Sequence, residues 1–455
     1  GDVASAQGAG AGGHEGGPVP PPPAPLQASA DEPLVQSRRQ QKKQVLRDAR
    51  QERKGHKKVQ KQAGALEAAI ASLGVALAEL PGASRAPCSD NDAVRAGLCS
   101  TFGVAGRYRE LPLAHGPTPT EGLEALGAAL VRPPKYNAKF LPQEYSLLHK
   151  IWALLGGDCS QAGVLDIGAG NANCAVLAAT MLGLTVVCVE RESPREELRA
   201  EAQLPPQLRR RVIRVESDVA DFGPAELGRV ASEQGLRRFV LVAKHPCGIG
   251  VDRSIACVAR LRAPGPAAGE GPPALLGVVV ATCCMNKLSQ DDLRVSRVPE
   301  FCGLYAEDLP GGAGPGRAEP ALERAVEVMS RCSAWRTTSG SLGNAIHPEQ
   351  MEWAEFFEDA LQSLRLRRLE RLFGASAQVR FAPQGCTPQD RCLLAAAAPL
   401  PAGLWAHGDG QPDAAFLERL RAGASELLAG PGPIDCRPKG LKSARYDFDY
   451  TDAAA

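Results

Sequence analysis

Aromatic residues are only 5% of this 455-residue chain, and no apolar run approaches the ~20 residues that a bilayer-crossing helix needs. No membrane partner is expected. Cysteine is sparse as well. Fourteen thiols are too few for a disulfide scaffold, and no CxxC pair or Cys/His ladder has zinc-site spacing, so no metal is expected either. A secretory signal is also lacking, which points to a reducing cytoplasm or nucleus. The first residue is Gly1, and an organellar address or zinc modules ahead of it stay open.

Net charge is nearly absent, at +1, which taken alone argues against a nucleic-acid partner. That average hides a division. Between Gln36 and Gln62 stand eleven cations (Arg38, Arg39, Lys42, Lys43, Arg47, Arg50, Arg53, Lys54, Lys57, Lys58 and Lys61) against two acids, Asp48 and Glu52. The segment carries +9, which leaves −8 for everything else. A basic arm on a mildly acidic body is the pattern of a protein that holds phosphates with one part only. Two blander readings remain for the arm, a nuclear localisation signal and a solvated helix face.

Composition divides the chain further. Residues 1–35, with PVPPPPAPL, read as a disordered, partly polyproline leader. Residues 36–80 lack proline and read as a basic, then amphipathic helical arm. Residues 81–134 look like a connecting region, and Leu141–Leu155 like an amphipathic helix. Short apolar runs then alternate with helical stretches: Val164–Ile167, Thr185–Val189, Val212–Val215, Phe239–Ala243, Val278–Ala281, Val379–Phe381 and Cys392–Ala397. Seven strands interleaved with helices predict an open α/β sheet within residues 135–399. Pro264–Pro273, Leu309–Pro320 and residues 384–390 read as loops, and residues 400–455 as a helix (Ala414–Leu428) and a tail.

The first strand runs into Asp166-Ile167-Gly168-Ala169-Gly170-Asn171. Glycines straight after a strand let the chain turn tightly and bring backbone N–H groups against a ligand at a helix N-terminus. A dinucleotide fingerprint wants a third small residue where Asn173 stands, which disfavours NAD. The second strand ends in Glu190-Arg191, 24 residues after Asp166, where a carboxylate can take both ribose hydroxyls. After the third strand, Asp218-Val219 places an acid where it can meet an adenine amino group. This order resembles the class I methyltransferases that bind S-adenosylmethionine (SAM), whose fold is a Rossmann-like seven-stranded sheet.

In open α/β sheets the chemistry sits at the carboxyl ends of the strands. Strand four ends in Lys244-His245-Pro246-Cys247 and strand five in Thr282-Cys283-Cys284-Met285-Asn286. Lys244 and His245 can orient or deprotonate an attacking oxygen. The thiols Cys247, Cys283 and Cys284 suit either the cleft or simple packing.

The order LDIGAG, VERE, SDV, KHPCGIGVD, TCC and then MSRCSAW (329–335) resembles the eukaryotic tRNA 2′-O-methyltransferases that modify the fourth acceptor-stem nucleotide, the tRNA:m4X modification enzymes. The resemblance implies SAM as cofactor, tRNA as partner and ribose methylation as reaction. Asp166, Gly168, Ala169, Gly170, Asn171, Glu190, Arg191, Asp218 and Val219 would then hold SAM. Lys244, His245, Cys247, Cys283, Cys284 and Asn286 would serve catalysis, and the basic arm would contact RNA. This chain departs from the family at GAGNAN, where GAGKG is usual. It has Met285-Asn286 in place of two histidines, Leu288 in place of a cysteine, and no zinc modules. Two other readings compete. Pro246-Cys247 and Thr282-Cys283 superficially match RNA 5-methylcytosine enzymes, and the departures suit a SAM-fold protein that binds RNA without catalysis.

Overall fold

A computed structural model describes residues 64–80, 90–104, 120–132, 134–244, 246–263, 273–282, 284–291, 293–308, 320–338, 347–380, 390–401 and 413–435. The leader, the basic segment 36–62, most of the three loops named above, His245, Cys283 and the tail from residue 436 lie outside the described residues.

Each of the seven apolar runs forms a strand of one sheet. These are β1 Ala162–Ile167, β2 Thr185–Glu190, β3 Val212–Glu216, β4 Arg238–Ala243, β5 Ala274–Ala281, β6 Ala375–Arg380 and β7 Arg391–Ala396. Their spatial order is β3-β2-β1-β4-β5-β7-β6. Neighbours from β3 to β5 are parallel, whereas β7 runs antiparallel to both β5 and β6. A doubly wound parallel sheet closed by one reversed strand is the Rossmann-like methyltransferase fold expected from the sequence.

Strands β1, β2, β4, β5 and β7 read as nearly unbroken apolar runs because helices cover both faces. Side chains alternate between faces. Val164, Val186, Val240 and Val279 join one core with helices α3 (Thr120–Ala128), α4 (Pro134–Leu154), α5 (Asn173–Met181) and α11 (Ala414–Ala429). Leu165, Val187, Leu241 and Val280 join another with α6 (Pro224–Gln234), α7 (Gly250–Arg262) and the end of α10 (Pro348–Phe373). Among the described residues, no helix is long and apolar enough to cross a membrane.

A third core lies beyond the sheet. Helix α1 (64–78) brings Leu66, Ile70, Leu73 and Leu77, whose spacing makes one apolar stripe. This stripe packs with residues of α2 (Asn91–Phe102), α8 (Val298–Tyr305), α9 (Pro320–Thr338) and α10. Burying one such side chain stabilises by about 1.5–3 kcal/mol, so the amphipathic half of the expected arm is held within the body. The C-terminal helix behaves alike, with Phe416, Leu417 and Leu420 buried in the first core. Helix α4 begins seven residues before the expected Leu141. Pro134 suits a first helical position, and the helix continues through Pro142.

Within the third core, Arg365 of α10 and Asp252 of α7 form an ion pair with essentially no exposure, at 2.7 Å and 2.6 Å. The Tyr305 hydroxyl donates to the same carboxylate at 2.8 Å. Asp252 closes the KHPCGIGVD stretch, so this motif is anchored from below by two other helices.

Candidate active site

At the end of β1 the chain turns through Gly168 (φ 70°) and Gly170 (φ 54°) into α5, left-handed conformations that glycine adopts without a Cβ clash. Both polar groups of Gly170 are taken. Its N–H donates to the Glu190 carboxylate, and its carbonyl accepts from Arg214 of β3 at 3.0 Å. Arg214 also grips Glu201. The ends of three strands thus fix the glycine loop before any ligand arrives.

Asp166 lies beneath this loop and is buried. Burial first, then the neighbouring Glu190, push its carboxyl up to about 7, against the opposing pull of Lys244 and Arg214. Asp218 receives the Ala220 N–H at 2.9 Å and faces Arg253 at 3.8 Å. Arg253 in turn forks onto Glu300 at 2.7 and 3.0 Å. A cavity of about 350 Å³ opens there, lined by Asp218, Ala220, Asp221, Arg253, Ala256, Arg260, Glu300 and Leu304. Of the remaining expected cofactor residues, Ala169 and Val219 are part-buried against the cores. Asn171 and Arg191 are exposed, and the Asn171 carbonyl accepts from Ala200 N–H at 2.9 Å.

Three carboxylates at successive strand ends suit a cofactor that carries ribose hydroxyls, an adenine amino group and a sulfonium charge. Space beside Gly168, where a Cβ would meet nothing within 4 Å, fits a ligand laid against the loop. These residues fit SAM. A cationic ligand favours ionised Asp166, so SAM affinity is expected to weaken about tenfold per pH unit below 7. For the apo protein the sign is opposite. A carboxyl raised to about 7 contributes stability at low pH that is lost as pH rises through 7. Calorimetry and melting from pH 5.5 to 8.5, with Asp166→Asn as reference, read both slopes.

Lys244 follows β4 and is 13% exposed. Its Nζ meets Glu144 Oε1 at 3.3 Å and lies 5.1 Å from the Phe140 ring centre. Glu144, on α4, is 1% exposed and takes both arms of Arg132, at 3.1 and 2.6 Å. Burial pushes the Glu144 carboxyl up, yet Lys244 and Arg132 together bring it below the usual carboxylate range. Sequence reasoning missed Glu144 and Arg132. One signal was present: Glu144 precedes Leu147 and Leu148 on the apolar stripe of α4, and both leucines are fully buried. An acid there needs a partner.

The ends of β4 and β5 meet through Cys247 and Cys284, whose Sγ atoms lie 3.4 Å apart. Gly248 (φ 60°) packs against Lys287, where a Cβ would come within 2.9 Å of the Lys287 Cβ, so this loop requires glycine. Asn286 sits in the single turn Met285–Leu288, half-buried, its carbonyl accepting from Ser289 Oγ at 2.9 Å. Met285 turns away into the third core, with its sulfur 3.4 Å from Arg365. The MSRCSAW stretch lies on α9, and its buried Ser330 donates to the Met285 carbonyl at 2.9 Å while accepting from Ser289 N–H at 3.0 Å. Among the described residues, no group of three His, Cys, Asp or Glu is placed to hold a metal ion. His245, Cys283 and the arm residues Arg38 to Lys61 lie outside the described residues.

Similar solved structures include the CcbJ methyltransferase from Streptomyces caelestis, 19% identical at a TM-score of 0.23, covering 38% of this chain and 60% of that one. Another is geranyl diphosphate C-methyltransferase from Streptomyces coelicolor A3(2), solved in complex with Mg2+, geranyl diphosphate and S-adenosyl-L-homocysteine. It is 12% identical, with a TM-score of 0.24, over 63% of this chain and 89% of that one. The chain thus spans about 60% of the length of the first. No curated protein matches the chain. Residues 144–302 match the model of the family described as Methyltransferase TRM13, so the stretch holding the glycine loop, the carboxylates of Asp166, Glu190 and Asp218, and Lys244 is the stretch that this chain shares with a methyltransferase family.

Proposed function

We propose that this protein is a SAM-dependent RNA methyltransferase whose acceptor is a ribose 2′-hydroxyl in the acceptor stem of tRNA. The observation that carries the reading is the family match over residues 144–302, which encloses every described residue assigned here to cofactor binding and to Lys244. When bound, SAM supplies an electrophilic methyl group. Gly168, Gly170, Glu190, Asp166 and Asp218 hold and orient it. A ribose hydroxyl is a weak nucleophile, so alignment and stabilisation of negative charge on its oxygen are what the protein must add. Lys244 answers that need as an ammonium. Its partner Glu144 is held below the usual carboxylate range and stays anionic, which fixes the lysine as a directed positive charge at the end of β4.

The test is direct. Incubation with tritiated SAM and bulk tRNA, followed by alkaline digestion, should leave the label in an alkali-resistant dinucleotide. Label recovered in mononucleotides, as a base methyl would give, overturns ribose methylation. Absence of SAM binding by calorimetry would favour a non-catalytic RNA-binding protein.

The basic segment supplies most of the phosphate contacts, beyond the few that the acidic body can offer. With about five of its eleven cations engaged, deleting residues 36–62 should lower the slope of log affinity against log salt by roughly 4. Filter binding of tRNA between 50 and 300 mM salt checks this, and an unchanged slope removes the arm from RNA binding.

A further inference from the structure

The start of α4 carries a second assembly, whose two rings, Lys139 and Arg132 lie ahead of the family-matched residues. Tyr136 and Phe140, one turn apart, stack with ring centres 6.0 Å apart and planes inclined by 25°. Three cations surround Phe140: Lys244 at 5.1 Å, Lys139 at 5.3 Å and Arg132 at 5.8 Å from its centre. Glu144 binds two of these cations, Lys244 and Arg132. Tyr136, Lys139 and Phe140 are all part-exposed, whereas Arg132, Lys244 and Glu144 lie largely buried beneath them, so the rings and Lys139 form the outer layer of a charged, paired support.

Resting on the methyltransferase reading, we propose that this platform is the seat of the acceptor nucleotide. The base stacks on the Tyr136–Phe140 pair, and Lys139 meets a flanking phosphate, while Arg132, its side chain buried and bound to Asn137 and Glu144, holds the platform from behind. Aromatic faces with interleaved cations suit an unstacked ribonucleotide: every base has a π-face, and phosphates require positive charge. A base seated at Phe140 brings its own ribose to Lys244, the cation that touches the same ring. Glu144 acts as a positioning residue, because it ties Lys244 and Arg132 to the platform through one buried carboxylate. The acceptor nucleotide must then leave its helical stack, as it does for enzymes that act on a single nucleotide of a duplex.

The test uses the full chain with SAM and tRNA. Replacing Phe140 by alanine should raise the KM for tRNA by about tenfold to a hundredfold and leave SAM affinity, read by calorimetry, unchanged. Phe140→Leu keeps much of the packing volume but has no π-face, so it should melt like the parent and show the same rise in KM. Phe140→Trp should restore KM, and its added fluorescence should be quenched by saturating tRNA. A parent-like KM in the leucine variant, or tryptophan emission indifferent to RNA, overturns the seat while leaving methyl transfer standing. If the parent transfers no methyl group yet RNA quenches the added tryptophan, the seat stands and the methyltransferase reading falls.

Discussion

Replacing Lys244 by alanine is expected to lower kcat for methyl transfer by about 10²–10³ at saturating SAM and tRNA. The size follows from what the side chain does. The ribose hydroxyl must release its proton to solvent to become a strong nucleophile, and a fixed cation in a part-buried cleft stabilises the oxyanion so formed without reorganising solvent. The substitution should not unfold the protein. Glu144 would lose its 3.3 Å contact to Lys244 but keep both hydrogen bonds from Arg132, so no buried carboxylate is left alone. Single-turnover assays at saturating tRNA and SAM read the effect on chemistry. Full activity in Lys244→Ala would remove the lysine from catalysis and shift attention to His245.

The largest effect on stability is expected at Asp252. Its removal leaves the Arg365 guanidinium, itself 1% exposed, as a buried cation without a counter-charge. Breaking one side of a buried pair typically destabilises by about 3–5 kcal/mol. Here the loss also strands the Tyr305 hydroxyl, which donates to the same carboxylate. Asp252→Ala should therefore lower Tm by roughly 10 °C. Substituting both partners with apolar residues, Asp252→Leu with Arg365→Met, should recover most of it, because a buried pair is often no better than well-packed hydrocarbon. Thermal melts of the three variants check this, and a single substitution as mild as the double one would refute the argument. Asp252 closes the motif that begins at Lys244. The motif thus has a chemical end in the cleft and a structural end under it.

How much of this was legible in the sequence differs by element. All seven strands were, five of them because helices cover both faces and the chain is apolar along most of its length; β3 and β6, with polar residues and one buried position each, showed only as short runs. The glycine loop and its carboxylates were legible for another reason: a tight turn from strand to helix restricts the residues that can occupy it. Helix α4 was read short. Its amphipathic pattern was recognised only from Leu141, while the helix starts at Pro134 and, packed along its length, tolerates the missing amide donor of Pro142. That shorter reading left Tyr136 and Phe140 ahead of the helix, with no periodicity to place them on one face. The stripe of α1 was recognised as amphipathic, but periodicity names a face and not the surface it meets.

Local order alone determined the α/β class, the position of the cofactor loop and the separation of a +9 segment from an acidic body. These follow from rules that act within a few residues: side-chain period, turn geometry and charge counting. The company of Lys244 was decided only by the tertiary structure. Glu144 lies 100 residues earlier, Arg132 earlier still, and Asp252 finds Arg365 across 113 positions. Burial makes those pairings obligatory, since a charge removed from water must find its opposite wherever the fold brings one near.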